Sequence, residues 1–385
     1  MTQTWALFVE SYRHLNAKKL FWIALVISGL IVAAFAMVGI DEEGLSILVW
    51  RLPIPVSTAI LSADVFYKLM FLNLGVTFWL AWGATILALV STAGVMPEFL
   101  AGGAVDVTLA KPISRLRLFL TKYAAAMLFV GLQVGVFSTA SFLVIGLRGG
   151  SWEPSVFLSV PIVVVFFSYL YSVCTLLGVV TRSTVAALLL TMLVWLGLFA
   201  VNSTEAILLM VRTQAEQSVQ WLEGDIASRE QALAAAEDEE PKEGILNTLK
   251  SGMNSNKKEA ELATRKTQLE DARKELRTIS IWQNSFVGVK TALPKTSETI
   301  GLLERWMVDM ADLPAFNDGG DDGSTRVRYD GGDRELPIPQ DNEAVERAVI
   351  EKSRARSVGW IVGTSLIFEA FVVGLAAWIF CRRDF

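Results

Sequence analysis

Apolar residues in this chain come in long unbroken blocks, not in the alternating or three-four patterns of soluble elements. Leu20–Ile40, Leu69–Val95, Tyr123–Leu147, Phe157–Val180 and Val185–Val201 hold no charged side chain, and Val358–Phe380 holds one, Glu369. A helix needs about 20 apolar residues to cross the hydrocarbon core of a bilayer. Five blocks meet that length and Val185–Val201 lies at its short end. The pattern predicts an all-α integral membrane protein with six transmembrane helices. Between the fifth and sixth blocks, 203–356 is polar and reads as a mostly helical insert.

Composition narrows the chemistry. Of 385 residues, 53% are hydrophobic and 19% charged, which fits neither a soluble globular chain nor a disordered one. Two cysteines, Cys174 and Cys381, exclude a disulfide scaffold and a cysteine-based zinc site. His14 is the only histidine, so a histidine-rich metal site, a Ser-His-Asp triad and a Cys-His dyad all lack their residues. The first block is too long for a cleaved signal and lacks a small-residue exit site, so it is expected to stay as a helix.

Positive charge sets the orientation. Arg13, Lys18 and Lys19 precede the first block and put the N-terminus in the cytoplasm. Alternation then makes 96–122 cytoplasmic, with Lys111, Arg115, Arg117 and Lys122. The 181–184 turn and the Arg382-Arg383 tail also fall inside. The short outward loops are poorer in Lys and Arg. The expectation is a bacterial inner-membrane protein with both termini inside and 203–356 outside. That insert carries 21 Lys and Arg against 29 Asp and Glu, an acidity that speaks for solubility and against nucleic-acid binding.

The chain thus divides into 1–202 with five spans, the insert 203–356, and 357–385 with the sixth span and tail. Within the insert, Val219, Leu222, Ile226 and Leu233 follow helical spacing, and Leu262, Leu269 and Leu276 recur every seven residues. Around the breaker Glu240-Pro241…Gly244 and the polar Ser251–Lys258 stretch, these arms over 215–280 read as an antiparallel hairpin. It is either a coiled coil or two ordinary amphipathic helices. Two further stripes follow, one of Trp282, Phe286, Val289 and Leu293, the other over Ile300–Met310. They fit an interfacial position or packing on the hairpin. The Gly-rich acidic loop 313–340 contains Asp318, Asp321 and Asp322. Its spacing lacks an EF-hand's order, so a solvated loop is the default and cation binding the minor reading.

The loop after the second block reads Met96-Pro97-Glu98-Phe99-Leu100-Ala101-Gly102-Gly103-Ala104-Val105-Asp106, then continues to Lys111-Pro112-Ile113-Ser114-Arg115. Pro97 can start a helical turn, Glu98 suits its positive end, and Gly102-Gly103 loosens the backbone. Pro112 stops that segment and Ser114 can cap the third span. This is either an amphipathic brace that passes a push into the spans or a tight interhelical connection. The string from Glu98 through Gly102-Gly103 to Lys111-Pro112-Ile-Ser114-Arg115 resembles the cytoplasmic signature of type-2 ABC exporter permeases. Leu293-Pro294 after the fifth span and the closing Phe380-Cys-Arg-Arg-Asp384 look like the same family. The likeness is nearest to permeases for multicopper-enzyme or nitrous-oxide-reductase maturation. Gly103 departs from that family's usual Thr or Ser, and the hairpin is an addition.

That resemblance implies that Glu98, Gly102, Gly103, Asp106, Lys111, Pro112, Ser114, Arg115 and Arg117 form the coupling region for a separate ATPase subunit. A homodimer of that subunit would carry ATP and Mg²⁺. It also implies pairing with a second copy or a sister permease. The chain holds no G-x-x-x-x-G-K-[ST] and no cofactor motif of its own, so it is expected not to be an enzyme. One ionisable residue lies mid-span. Glu369 has no Lys or Arg within another block to pair with, and a charge there costs at least about 2.5–3.5 kcal/mol. It is expected to be protonated or hydrogen-bonded to groups such as Gln133, Tyr169, Tyr171 or Ser172. Either it is a functional site on a translocation path or a neutral interhelical tie. The size of the hairpin keeps open a second function, in which 215–280 relays an ATPase cycle to an envelope partner without moving a solute. A membrane-embedded enzyme is disfavoured, because no paired carboxylate, histidine or nucleophile constellation lies near the spans.

Overall fold

The computed structural model describes residues 19–41, 44–47, 50–51, 62–101, 114–237, 245–308 and 342–382, together with Val9. The described chain is predominantly helical. Six of its helices are long and apolar enough to cross a membrane. They are α1 (Lys19–Met37), the run 63–100 that contains α2 (63–92) and α3 (Val95–Ala101), α4 (Arg115–Arg148), the run that ends as α5 (Ser159–Thr181), α6 (Thr184–Glu237) and α10 (Gly359–Arg382). Between them lie α7 (Ile245–Ala292), α8 (Thr296–Met307) and α9 (Asn342–Arg354). The chain forms two compact units. The first comprises Met1–Asn202, Lys290–Asn317 and Arg356–Phe385; the second comprises Ser203–Val289 and Asp318–Ala355, each over its described residues.

In the first unit α5 is the central post. Its most apolar stretch is 78% buried, against 22–28% for the corresponding stretches of α1, α6 and α10. α10, α4, α8 and α3 all pack on it. A hydroxyl pair, Ser138 Oγ and Ser159 Oγ at 2.6 Å, joins α4 to α5. On the other side of α4, Phe21 of α1 meets Phe129 with ring centres 4.8 Å apart. Trp79 Nε1 of α2 donates to Ser28 Oγ of α1 at 2.9 Å, so both buried polar groups are satisfied. The middle of α2, Phe71–Ala84, is wound as a π-helix. Such wide turns are rare and commonly mark functional stretches.

The structure adds one element to the sequence reading and differs from it in three details. After α1, β1 (Val38–Asp41), β2 (Gly44–Ile47) and β3 (Trp50–Arg51) form a small antiparallel sheet in that order. Asp41 pairs with Gly44, whose φ of 127° only glycine adopts readily. The Ser251–Lys258 stretch is not a break but lies within α7. It contains one glycine and no proline, too little to stop a helix. The Trp282–Val289 stripe is likewise the end of α7, which terminates just before Pro294. The Ile300 stripe packs in the first unit, where Leu302 and Leu303 are buried and α8 lies against α5 and the π-helical part of α2.

The second unit is built on the hairpin of α6 and α7. Val219, Leu222 and Ile226 are buried on the first arm. On the second arm Leu262, Arg265, Leu269, Ala272, Leu276 and Ile279 are half-buried between exposed neighbours, a three-four seam. Charges fix the direction. Arg229–Glu261 (3.2 Å), Arg265–Asp225 (3.4 Å), Arg273–Glu223 (2.7 Å) and Arg212–Gln283 (2.8 Å) pair positions that rise on one arm as they fall on the other, so the arms are antiparallel. α9 returns beside them, with Val345 buried and Lys352 bonded to Thr213 Oγ1 and Glu216.

The energetic ranking within the hairpin is testable. Leu222 is 1% exposed, whereas Lys266 and Glu230 are each about half exposed around their 2.7 Å pair. Leu222→Ala should destabilise the unit by about 2–5 kcal/mol, and Lys266→Ala by about 1 kcal/mol or less. Chemical denaturation of the solubilised full chain followed by circular dichroism checks the order. Equal losses for the two variants would show that charge, not the apolar seam, holds the arms together.

Candidate functional site

Two constellations in the first unit stand out, one at the bundle end where 93–122 turns and one in mid-bundle. The first begins with α3. Its Val95, Met96 and Phe99 are buried while Glu98 is exposed, so a helix of two turns has one face in the bundle and one outside it. The buried face enters a core made with Leu118 and Phe119 of α4, Val179 of α5, and Ala376, Ala377 and Phe380 of α10. Phe99 stacks on Phe380 with ring centres 6.5 Å apart, and Lys122 Nζ lies 4.4 Å from the centre of the Phe99 ring. Pro97 touches α5 where a side chain is missing. A Cβ on Gly178 would stand 3.2 Å from the Pro97 ring carbons, a tight contact that would push α3 outward by a few tenths of an ångström.

The next helix is fastened to the same place. Ser114 Oγ accepts from the Arg117 amide at 3.3 Å, a serine N-cap on α4. Arg115 Nη1 donates to the Cys381 carbonyl at 3.3 Å, a cation at the carbonyl end of α10. Glu98, Ser114, Arg115 and Arg117 therefore gather at one end of the bundle, around the Phe99–Phe119–Phe380 core. Gly102, Gly103, Asp106, Lys111 and Pro112 lie outside the described residues, as do Asp318, Asp321 and Asp322. Among the described residues no group of three or more His, Cys, Asp or Glu side chains is placed to hold a metal ion.

The second constellation surrounds Glu369. Its Oε1 accepts from Tyr123 Oη of α4 at 2.9 Å, and its Oε2 lies 2.7 Å from Ser168 Oγ of α5. These are not the partners named from the sequence. Ser172 turns back onto the Tyr169 carbonyl, and Tyr171 stacks beside Tyr123 with ring centres 5.2 Å apart. Gln133 Nε2 is buried with no hydrogen-bond partner among the described residues. The reason is rotational: Ser168 stands one residue from Tyr169, and that 100° step on a helix decides which side chain reaches the Glu369 carboxyl. Tyr123 opens an apolar block and carries no sequence signal that separates it from a packing aromatic.

The sequence reading also passed over Lys295, which follows Leu293-Pro294. It is fully buried, with Nζ bonded to the Thr291 and Leu293 carbonyls and to Thr364 Oγ1, and lies 4.4 Å from the Trp360 ring. It caps the carbonyl end of α7 and ties it to α10. Beside it, Glu298 receives both Lys290 and Arg356, the latter at 2.6 Å. Burial pulls the Lys295 ammonium down to about 8, partly offset by Glu298 and reinforced by Lys290.

Comparison with known proteins returns no matching family model, no matching curated protein and no matching solved structure. The reading of the site therefore rests on its own geometry.

Two outcomes follow from these contacts. Gly178→Val should push Pro97 away and loosen α3, read as faster proteolysis within 95–115 at unchanged folding of the hairpin; unchanged protection would show that α3 does not depend on that approach. For Lys295 the sign is definite. The folded chain releases this proton near pH 8 and the unfolded chain nearer 10.5, so the unfolded state binds more protons in between and stability rises with pH there. The thermal midpoint of the wild type should gain on that of Lys295→Met across that window. A constant difference would mean that the lysine keeps its proton throughout.

Proposed function

We propose that this chain is the membrane-spanning permease subunit of an ABC exporter, driven by a separate ATPase subunit that docks on 96–115. The observation that carries the reading is α3, a short helix with an exposed Glu98 on one face and Met96 and Phe99 buried on the other among residues of α4, α5 and α10. An element of that kind converts a push on its outer face into displacement of three helices at once, because a close-packed core transmits strain. The resemblance of Glu98…Lys111-Pro112-Ile-Ser114-Arg115 to the type-2 permease signature points the same way. In this reading the six apolar helices span the bacterial inner membrane. Both termini and 96–122 are cytoplasmic, and 203–356 is extracytoplasmic. A second copy or a sister permease completes the transporter. ATP and Mg²⁺ belong to the partner, since the chain has no Walker motif.

Closure of two ATPase subunits on their nucleotide would press on Glu98 and the start of α4, and the core around Phe380 would hand that motion to α10. A second reading is favoured by the length of α6. Its 54 residues form one helix that begins in the apolar stretch and continues as the first arm of the hairpin. A helix continuous in this way suits a mechanotransmission protein whose coiled-coil hairpin acts on an envelope partner.

The test is co-purification in mild detergent from the native cells. Wild type should bring down a Walker-type ATPase, and Glu98→Lys should lose most of it at equal expression. A well-folded wild type that recovers no ATPase would overturn the permease reading. Deleting 215–280 then separates the two readings: an exporter keeps ATPase stimulation and transport, whereas a mechanotransmitter keeps the ATPase but loses its envelope partner and its function.

A further inference from the structure

Three helices meet at Glu369, and the hydrogen atoms available there can be counted. Ser168 has one hydroxyl proton but two acceptors in reach, the Val165 carbonyl at 2.8 Å and Glu369 Oε2 at 2.7 Å. Tyr123 has one proton and two acceptors, the Ser168 carbonyl at 3.2 Å and Glu369 Oε1 at 2.9 Å. With an ionised carboxylate, two protons serve four acceptor contacts, and Ser168 Oγ sits at bonding distance from two oxygens of which it can satisfy one. A proton on Oε2 removes the conflict. The carboxyl then donates to Ser168 Oγ, Ser168 donates to Val165, and Tyr123 donates to Oε1, so that each donor has one acceptor.

Charge agrees with the count. The helices packed on α10 are α4, α5, α8 and α3. The titratable side chains they bring to it are the phenols of Tyr123 and Tyr169 near Glu369, Tyr171 beside Tyr123, Lys295 with its Nζ on Thr364 towards the start of α10, and Arg115 at the Cys381 end. Among the described residues no lysine, arginine or histidine forms an ion pair with Glu369. Two neutral hydroxyls are poor compensation for an anion in an apolar bundle, and the neutral acid needs none.

We propose that Glu369, with Tyr123 and Ser168, is an intramembrane proton-binding site, and that the bound proton makes Glu369 the neutral tie holding α10 to α4 and α5. The tie lies about two to three turns along α10 from Ala376, Ala377 and Phe380, the residues that pack on Met96 and Phe99. A displacement of α3 therefore reaches it through α10. Separation of α10 would expose the carboxyl and release the proton, which makes the site a proton carrier linked to helix movement. The bound proton itself does not require that an ATPase docks on α3, and its test is independent of that docking.

Infrared spectroscopy of the purified full chain at neutral pH tests the site directly. Solvated carboxyls are ionised there, so a neutral carboxyl C=O band reports a buried, protonated acid. The wild type should show such a band, and Glu369→Gln should abolish it. Tyr123→Phe removes the hydrogen bond on Oε1 and should move the band to higher frequency while leaving it present. No neutral-acid band in the wild type, or a band that survives Glu369→Gln, would overturn the proposal. If Glu369→Gln does not fold, Tyr123→Phe decides alone, and an unshifted band counts against it.

Discussion

The first unit depends on one helix having almost no outward face. α5 is buried along most of its apolar length, while α1, the apolar part of α6, and α10 are buried along about a quarter of theirs. Within hydrocarbon there is no water to satisfy a polar group, so a buried post must find internal partners for every hydroxyl it carries. α5 meets part of that need with serines turned toward its neighbours. Ser159 meets Ser138, Ser168 meets Glu369, and the Ser168 carbonyl lies against Tyr123. α4, α8 and α10 all pack on that post, and it is the surface the three share. Small and hydroxylated side chains permit that closeness, as expected where apolar burial no longer discriminates one helix partner from another.

The two constellations are joined by that arrangement. α3 seats on α5 through Pro97 and Gly178 and on α10 through Phe99 and Phe380. α10 in turn carries Glu369 to α4 and α5. A core of aromatic rings at one end and a hydrogen-bonded acid in the middle are thus two fastenings of the same helix. Aromatic packing tolerates small sliding, whereas a hydrogen bond of 2.7–2.9 Å does not survive an ångström of separation, so the acid is the sharper of the two detents.

Lys295 and Glu298 fasten α7 and α8 to the start of α10 by a different device. A fully buried ammonium is supported by helix-terminal carbonyls and an aromatic face, next to a carboxylate shared by Lys290 and Arg356. Such clusters are costly to desolvate and strongly directional, so they specify which elements meet more than they add to net stability. The hairpin uses the opposite strategy. Its apolar seam supplies the association, and half-exposed ion pairs choose the antiparallel register.

The apolar blocks, the hairpin arms and the serine cap at Ser114 were all legible in the order of residues, because each depends on local period or on contacts within one turn. So was the need of the lone carboxyl at Glu369 for a partner, since an acid within an apolar block needs no fold to look expensive. What depended on rotation was not legible. Whether Ser168 or the adjacent Tyr169 reaches Glu369, whether Tyr123 is a donor or mere packing, and whether Ile300–Met307 covers the hairpin or α5 are settled by which helices lie side by side. Lys295 escaped notice because a lysine after Leu-Pro looks like a loop residue until α10 closes over it. Sequence determined the helices and their apolar lengths, because those follow from backbone hydrogen bonding and hydropathy along the chain. Tertiary structure alone decided the partners, because a 100° step around a helix changes which neighbour a side chain meets.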